Sequence, residues 1–106
     1  MKVKKNKFKG LLIVEGRSHN DNRGSLREIY LEKIINKRFK FQIVSKSKKN
    51  ILRGMHIQSI NPQGKYLSVI KGKIFDVVVD LRVKSKTFGK SYSVLLSDKN
   101  CKSIYI

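Results

Sequence analysis

Short runs rich in β-branched and aromatic residues alternate with turn signals along most of this chain, and helical periodicity is scarce. The runs fall at 10–15, 25–30, 39–45, 51–58, 65–71, 73–82, 91–97 and 103–106. Between them lie clusters of Gly, Asn, Asp, Pro and Lys at 20–24, 48–50, 61–64, 71–72, 84–89 and 98–100. Only 31–36 has the spacing of a short helix. Strands at this spacing predict an all-β fold, an antiparallel β-sandwich or barrel. No internal repeat, linker or low-complexity segment interrupts the pattern, so residues 1–106 read as one domain.

The run at 73–82 alternates most clearly. Phe75, Val77, Val79 and Leu81 fall on one face, and Ile74, Asp76, Val78, Asp80 and Arg82 on the other. Two acids and an arginine on one side of an apolar strand fit either a polar cavity lining or a solvent-facing side. The last run, Ser103-Ile104-Tyr105-Ile106, reaches the final residue with no turn or polar tail after it. A strand in that position leaves little sequence to cover a sheet edge, so the sandwich is expected to be incomplete.

Composition narrows the function. A chain of 106 residues buries roughly 65% of its unfolded surface, enough for one modest core. Lys and Arg number 25 against 7 Asp and Glu, a formal charge of +18, and 19 of the 25 are Lys. Readout of nucleic acid leans on arginine forks and stacking aromatics. Here arginines are sparse and aromatics scattered, so a nucleic-acid partner is not expected. The positive field still draws anionic ligands. The single cysteine, Cys101, excludes an intrachain disulfide and fits a reducing, cytoplasmic setting. No apolar stretch approaches the ~18 residues of a membrane span, so no membrane association is expected.

Candidate chemistry centres on Ile51-Leu52-Arg53-Gly54-Met55-His56-Ile57-Gln58. His56 and Gln58 share a strand face, while Arg53 points away unless Gly54 hosts a bulge that re-aims it. The pattern alone favours a buried structural histidine. His19 reads as an exposed loop residue. His19, His56 and Cys101 lack paired ligand spacing, so no metal is expected.

The motifs in chain order carry a resemblance. They are Asp21-Asn22-Arg23-Gly24 with Glu28, the stretch from Ser45 to Gln58, Gln63-Gly64-Lys65, the stretch from Gly72 to Arg82, and Ser85-Lys86-Thr87-Phe88-Gly89. Together they resemble the dTDP-4-dehydrorhamnose 3,5-epimerase family. The resemblance implies a cupin-type jelly roll, a homodimer, no metal or organic cofactor, and dTDP-4-dehydro-6-deoxyglucose as substrate. His56 matches the family's base, and an imidazole titrates near working pH. Lys65 matches a lysine near the 4-keto oxygen, where a cation stabilises a developing enolate. Arg23 and Arg53 match residues that hold the nucleotide diphosphate and sugar. Glu28 matches a substrate-contacting acid, and Gln58 is expected to line the same cavity. Asp76 and Asp80 match family positions and are expected to pair with Lys65 or an arginine.

Two departures qualify the implication. The family's Gln-x-Asn falls on Phe41 and Ile43, with Gln42 one residue out of step and facing the other side. The family's later Gly-Phe-x-His-Gly-Phe segment, a tyrosine acid and an aspartate that orients the base histidine have no counterpart before Ile106. A shortened family member is therefore expected, whose activity alone stays open. A non-catalytic remnant that binds sugar nucleotides, and a mono-epimerase of the same family, are the alternatives.

Overall fold

The computed structural model describes residues 1–106. Its elements in order are β1 (Lys2–Lys4), β2 (Leu12–Glu15), β3 (Ser18–Asp21), β4 (Gly24–Arg27), α1 (Glu32–Ile35), β5 (Tyr66–Ser68), β6 (Lys73–Val79), β7 (Ser91–Ser97) and β8 (Lys102–Tyr105). They form three antiparallel sheets: β1-β2-β8-β5, the β3–β4 hairpin and the β6–β7 hairpin.

Apolar alternation explains where these sheets meet. Ile13 on β2 lies beside Ile104 on β8, and Ile104 lies beside Leu67 on β5. On β7, Leu96 faces inward, so Ile13, Val69, Leu96 and Ile104 close into a buried cluster. Leu11, Leu67, Val78, Tyr92 and Val94 pack around it. The ribbon β6–β7 thus covers one face of the four-stranded sheet without sharing its ladder. Helix α1 ends where Asn36 turns left-handed (φ 53°) and its N–H reaches Glu32 O at 2.7 Å.

The inward side of β6 carries Asp76 and Val78, with buried Asp80 just beyond the strand. Phe75, the bulkiest apolar residue of the other face, is 70% exposed. The two aspartates therefore lie on the interior side. Asp80 is accommodated there because local donors surround it. The Arg82 backbone N–H (3.0 Å) and Nε (2.8 Å) donate to Oδ1, and Arg82 Nη2 (2.8 Å), Ser85 Oγ (2.5 Å) and Thr87 Oγ1 (2.6 Å) donate to Oδ2. Their hydrogen bonds hold its carboxyl far below the usual carboxylate range, the Arg82 bonds most strongly.

Several expectations are corrected. The runs at 39–45 and 51–58 form no strands, and residues 36–65 contain no regular element. No neighbouring strand offers them a ladder, and Phe41, Ile43, Val44, Leu52, Met55 and Ile57 are exposed. His56 is consequently exposed rather than buried, and Gly54 (φ +116°) lies in irregular chain rather than at a strand bulge. β8 is interior, with β2 on one side and β5 on the other. β1 was not foreseen, and His19 lies on β3, still exposed.

Candidate functional site

Arg23 stands at the tip of the β3–β4 hairpin. Asp21 Oδ1 accepts the Arg23 backbone N–H at 2.9 Å and closes an Asx turn. Asp21 Oδ2 then takes Arg23 Nη2 at 2.7 Å and Nε at 3.2 Å. Gly24 completes the turn at φ +139°, a region that side chains rarely adopt. The guanidinium is held in one orientation at an exposed tip, and its bonds draw the Asp21 carboxyl below its ordinary value.

Beyond β4 the chain runs alongside β5. Arg27 Nη1 donates to Val69 O at 3.3 Å, and Tyr66 Oη donates to Ile29 O at 2.8 Å. Glu28 lies between these ties. Lys65 immediately precedes β5, and its N–H and C=O bond Ile106 at 2.7 and 2.9 Å. The backbones of Glu28 and Lys65 are thus fixed on neighbouring segments, and both side chains are exposed.

Arg53 bonds its own loop. Its Nε donates to Ser47 Oγ at 2.9 Å and its Nη2 reaches Lys46 O at 3.5 Å. This bends the stretch containing Lys46, Lys48 and Lys49 around one guanidinium and concentrates positive charge in a few residues. His56 follows, its ring turned back toward Gly54; a Cβ added there would lie 3.4 Å from Nδ1. Gln58 is exposed farther along the same segment.

The structure does not gather these residues into one enclosed cavity. A groove of about 660 Å³ is lined by Phe8–Leu12, Ile35–Lys37, Val78–Arg82 and Tyr105–Ile106, and among the expected residues only Asp80 reaches it. Asp80 pairs with an arginine, but the partner is Arg82, which serves the turn after β6. Asp76 pairs with neither Lys65 nor an arginine, and its Oδ2 is buried without a partner. Burial pushes its carboxyl up, opposed by the Val77 backbone N–H. No three His, Cys, Asp or Glu side chains come together as a metal-holding group.

One feature escaped the sequence. Tyr30, Phe39, Tyr66 and Tyr105 gather into an aromatic cluster with ring centroids 5.3–6.3 Å apart, and Lys37 Nζ lies 5.4 Å from the Tyr105 centroid. Their wide separation in sequence hid it. A pocket of about 270 Å³ opens beside it, lined by Tyr30, Glu32, Arg38, Phe39 and Gln42. Gln42, which the alternation turned away from the expected site, thus borders an aromatic wall. No helix is long and apolar enough to cross a membrane.

Comparison with known proteins points one way. Residues 5–106 match the profile of the family described as dTDP-4-dehydrorhamnose 3,5-epimerase. The chain is 40% identical over 107 residues to the dTDP-4-dehydrorhamnose 3,5-epimerase of Methanothermobacter thermautotrophicus, covering 96% of this chain and 58% of that protein. It superposes with a TM-score of 0.88, at 30% identity, on the Bacillus anthracis dTDP-4-dehydrorhamnose 3,5-epimerase crystallised with TDP and PPi, covering 99% of this chain and 64% of that one. It superposes with a TM-score of 0.82, at 35% identity, on the Legionella pneumophila dTDP-6-deoxy-D-glucose-3,5-epimerase in complex with dTDP-4-keto-L-rhamnose, covering 98% and 58%. The chain spans about three-fifths of the length of the curated relatives it matches.

Proposed function

Because the chain belongs to the dTDP-4-dehydrorhamnose 3,5-epimerase family and has that family's cupin-type β-sandwich fold, we propose that it serves 3,5-epimerisation of dTDP-4-dehydro-6-deoxyglucose. The family match carries this reading, since it runs through Arg23, Arg53, His56 and Lys65 in one continuous span. Residues 1–106 act as one domain, in the cytoplasm and as part of a homodimer, with no organic cofactor or metal.

The chemistry follows from the keto group. A 4-keto oxygen acidifies the protons on C3 and C5, because the carbanion left behind is an enolate. His56 removes the proton, and the exposed imidazole exchanges it with water. The Lys65 ammonium stabilises the oxyanion; its backbone, tied to Ile106 on both sides, limits where that charge can move. Arg53 and the lysines around it attract the diphosphate, and Arg23 binds a phosphoryl oxygen in competition with Asp21. Glu28 accepts, and Gln58 both accepts and donates, hydrogen bonds with the sugar or nucleoside. Return of the proton on the opposite face requires an acid across the ring, a role none of these six side chains fills.

Calorimetric titration with dTDP tests the binding half. The chain binds dTDP, and Arg53→Gln weakens it by roughly 10–100-fold, the cost of a charge-assisted bond. A folded chain that ignores dTDP at low salt overturns the reading. The exposure of His56 favours a second reading, sugar-nucleotide binding without turnover; it gives dTDP binding but no exchange of the sugar protons.

A further inference from the structure

Three buried side-chain atoms have no hydrogen-bond partner: Arg27 Nε, Arg27 Nη2 and Asp76 Oδ2. They are complementary. Nε and Nη2 form one edge of the guanidinium, an edge that takes a carboxylate through two parallel bonds. Asp76 supplies a carboxylate, and it is the charge of opposite sign.

Both groups border one apolar cluster. Arg27 Nη1 holds Val69 O, and Val69 is buried with Ile13, Leu96 and Ile104. Leu96 lies opposite Ile74 across the β6–β7 pair. One inward step along β6 is Asp76, opposite Val94, which packs against the same cluster. Arg27 therefore approaches the cluster from the β4–β5 corner and Asp76 from the ribbon. The five ion pairs of the molecule include neither residue. Burial raises the Asp76 carboxyl, opposed by the Val77 backbone N–H. An unpaired buried charge is costly, and joining two of opposite sign relieves both.

The fold leaves a route for joining them. The β6–β7 ribbon has no ladder with the four-stranded sheet. Its ties to the rest of the molecule lie at its ends, where the Cys101 N–H reaches Ser97 O at 3.1 Å and Arg82 Nη1 reaches Lys9 O at 2.7 Å, so a shift is a tilt about those ends that slides the side chains between them. We infer that Arg27 and Asp76 are ion-pair partners in a closed arrangement, reached when the ribbon moves toward the β4–β5 corner, and that Arg27 is the positioning residue for Asp76. The inference stands apart from the proposed function, which gives Asp76 no role, and the pairing itself needs no ligand.

The test uses the full chain with Arg27→Met, Asp76→Asn, the double variant and the charge swap Arg27→Asp with Asp76→Arg. Carboxyl-carbon NMR follows the Asp76 titration, and urea unfolding follows stability at pH 7. Pairing predicts that Asp76 titrates at least about one pH unit lower in the parent chain than in Arg27→Met. It predicts that the two single losses fall short of adding by roughly tenfold in the folding constant, and that the swap recovers part of the loss. Equal Asp76 midpoints, or strictly additive losses, overturn it. Should Arg27→Met fail to fold, Arg27→Lys decides: it keeps the charge but loses the fork, so pairing predicts an Asp76 midpoint above that of the parent chain, and an unchanged midpoint overturns it. Neither readout uses a nucleotide, so failure of the epimerase reading leaves both intact.

Discussion

Leu95 and Leu96 are adjacent, identical in type and opposite in environment. Leu96 has no exposed surface and touches the cluster formed by Ile13, Val69 and Ile104, so it fastens the β6–β7 ribbon to the four-stranded sheet. Leu95 faces outward opposite Phe75 and is 48% exposed. Leu96→Ala deletes three carbons from a closed site: at about 0.8 kcal/mol for each, transfer alone costs about 2.4 kcal/mol. The cavity left behind brings the loss to about 3–4 kcal/mol. Leu95→Ala opens onto water, leaves no cavity and costs less than about 1 kcal/mol. A domain of this size holds only ~5–15 kcal/mol in all, so the first change removes a large share and the second a small one. Urea unfolding followed by far-ultraviolet circular dichroism reads both. With a slope of about 1 kcal/mol per molar urea, the midpoints fall by roughly 3–4 M and less than about 1 M. Equal losses, or a larger loss at Leu95, would refute the inward assignment of the ribbon and with it the placement of Asp76.

Other outcomes follow from individual contacts. Asp80→Asn weakens the turn after β6 at neutral pH. The folded-state carboxyl titrates well below its unfolded value, so the stabilisation is complete above pH ~4 and drains away as pH falls toward the folded value. Acid titration of unfolding in both chains should therefore show their difference shrinking below pH ~4; a constant difference contradicts the network. Gly64→Ala drives a methyl group into the Tyr105 ring, costs about 1–3 kcal/mol and changes the near-ultraviolet tyrosine signal, because the added carbon would overlap the hydroxyl and lie 2.9 Å from Cζ. Arg23→Gln weakens dTDP binding by less than Arg53→Gln does, since Asp21 already engages the Arg23 guanidinium; calorimetric titration of both variants ranks them.

Local chemistry made part of this structure legible. Asp21-Asn22-Arg23-Gly24 encodes its turn outright, with an acceptor two residues before a backbone donor and a glycine where φ is positive. The ribbon was legible as two alternating strands, and residues 31–36 as one helical turn. Counting apolar residues did not reveal which face of β6 points inward, because the satisfaction of Asp80 depends on Arg82, Ser85 and Thr87 folding back after the strand. The segment 39–58 has strand-like composition, yet a strand also needs a neighbour, and composition names none. The same limit hid the interior position of β8. For the candidate site, the ordered motifs nominated the residues, while their assembly depends on contacts that no short window of sequence contains. The aromatic cluster shows this most plainly, since Tyr30 and Tyr105 meet through Phe39 and Tyr66 across most of the chain.

The most direct test of the proposed chemistry is deuterium wash-in. The chain and its His56→Ala variant are incubated with dTDP-4-dehydro-6-deoxyglucose in heavy water, and C3 and C5 are followed by mass spectrometry and proton NMR. Deuterium entering at both carbons in the parent chain and at neither in the variant is the predicted result. Exchange that persists in His56→Ala, or no exchange by a folded chain that binds dTDP, would contradict the assignment of His56 as the base.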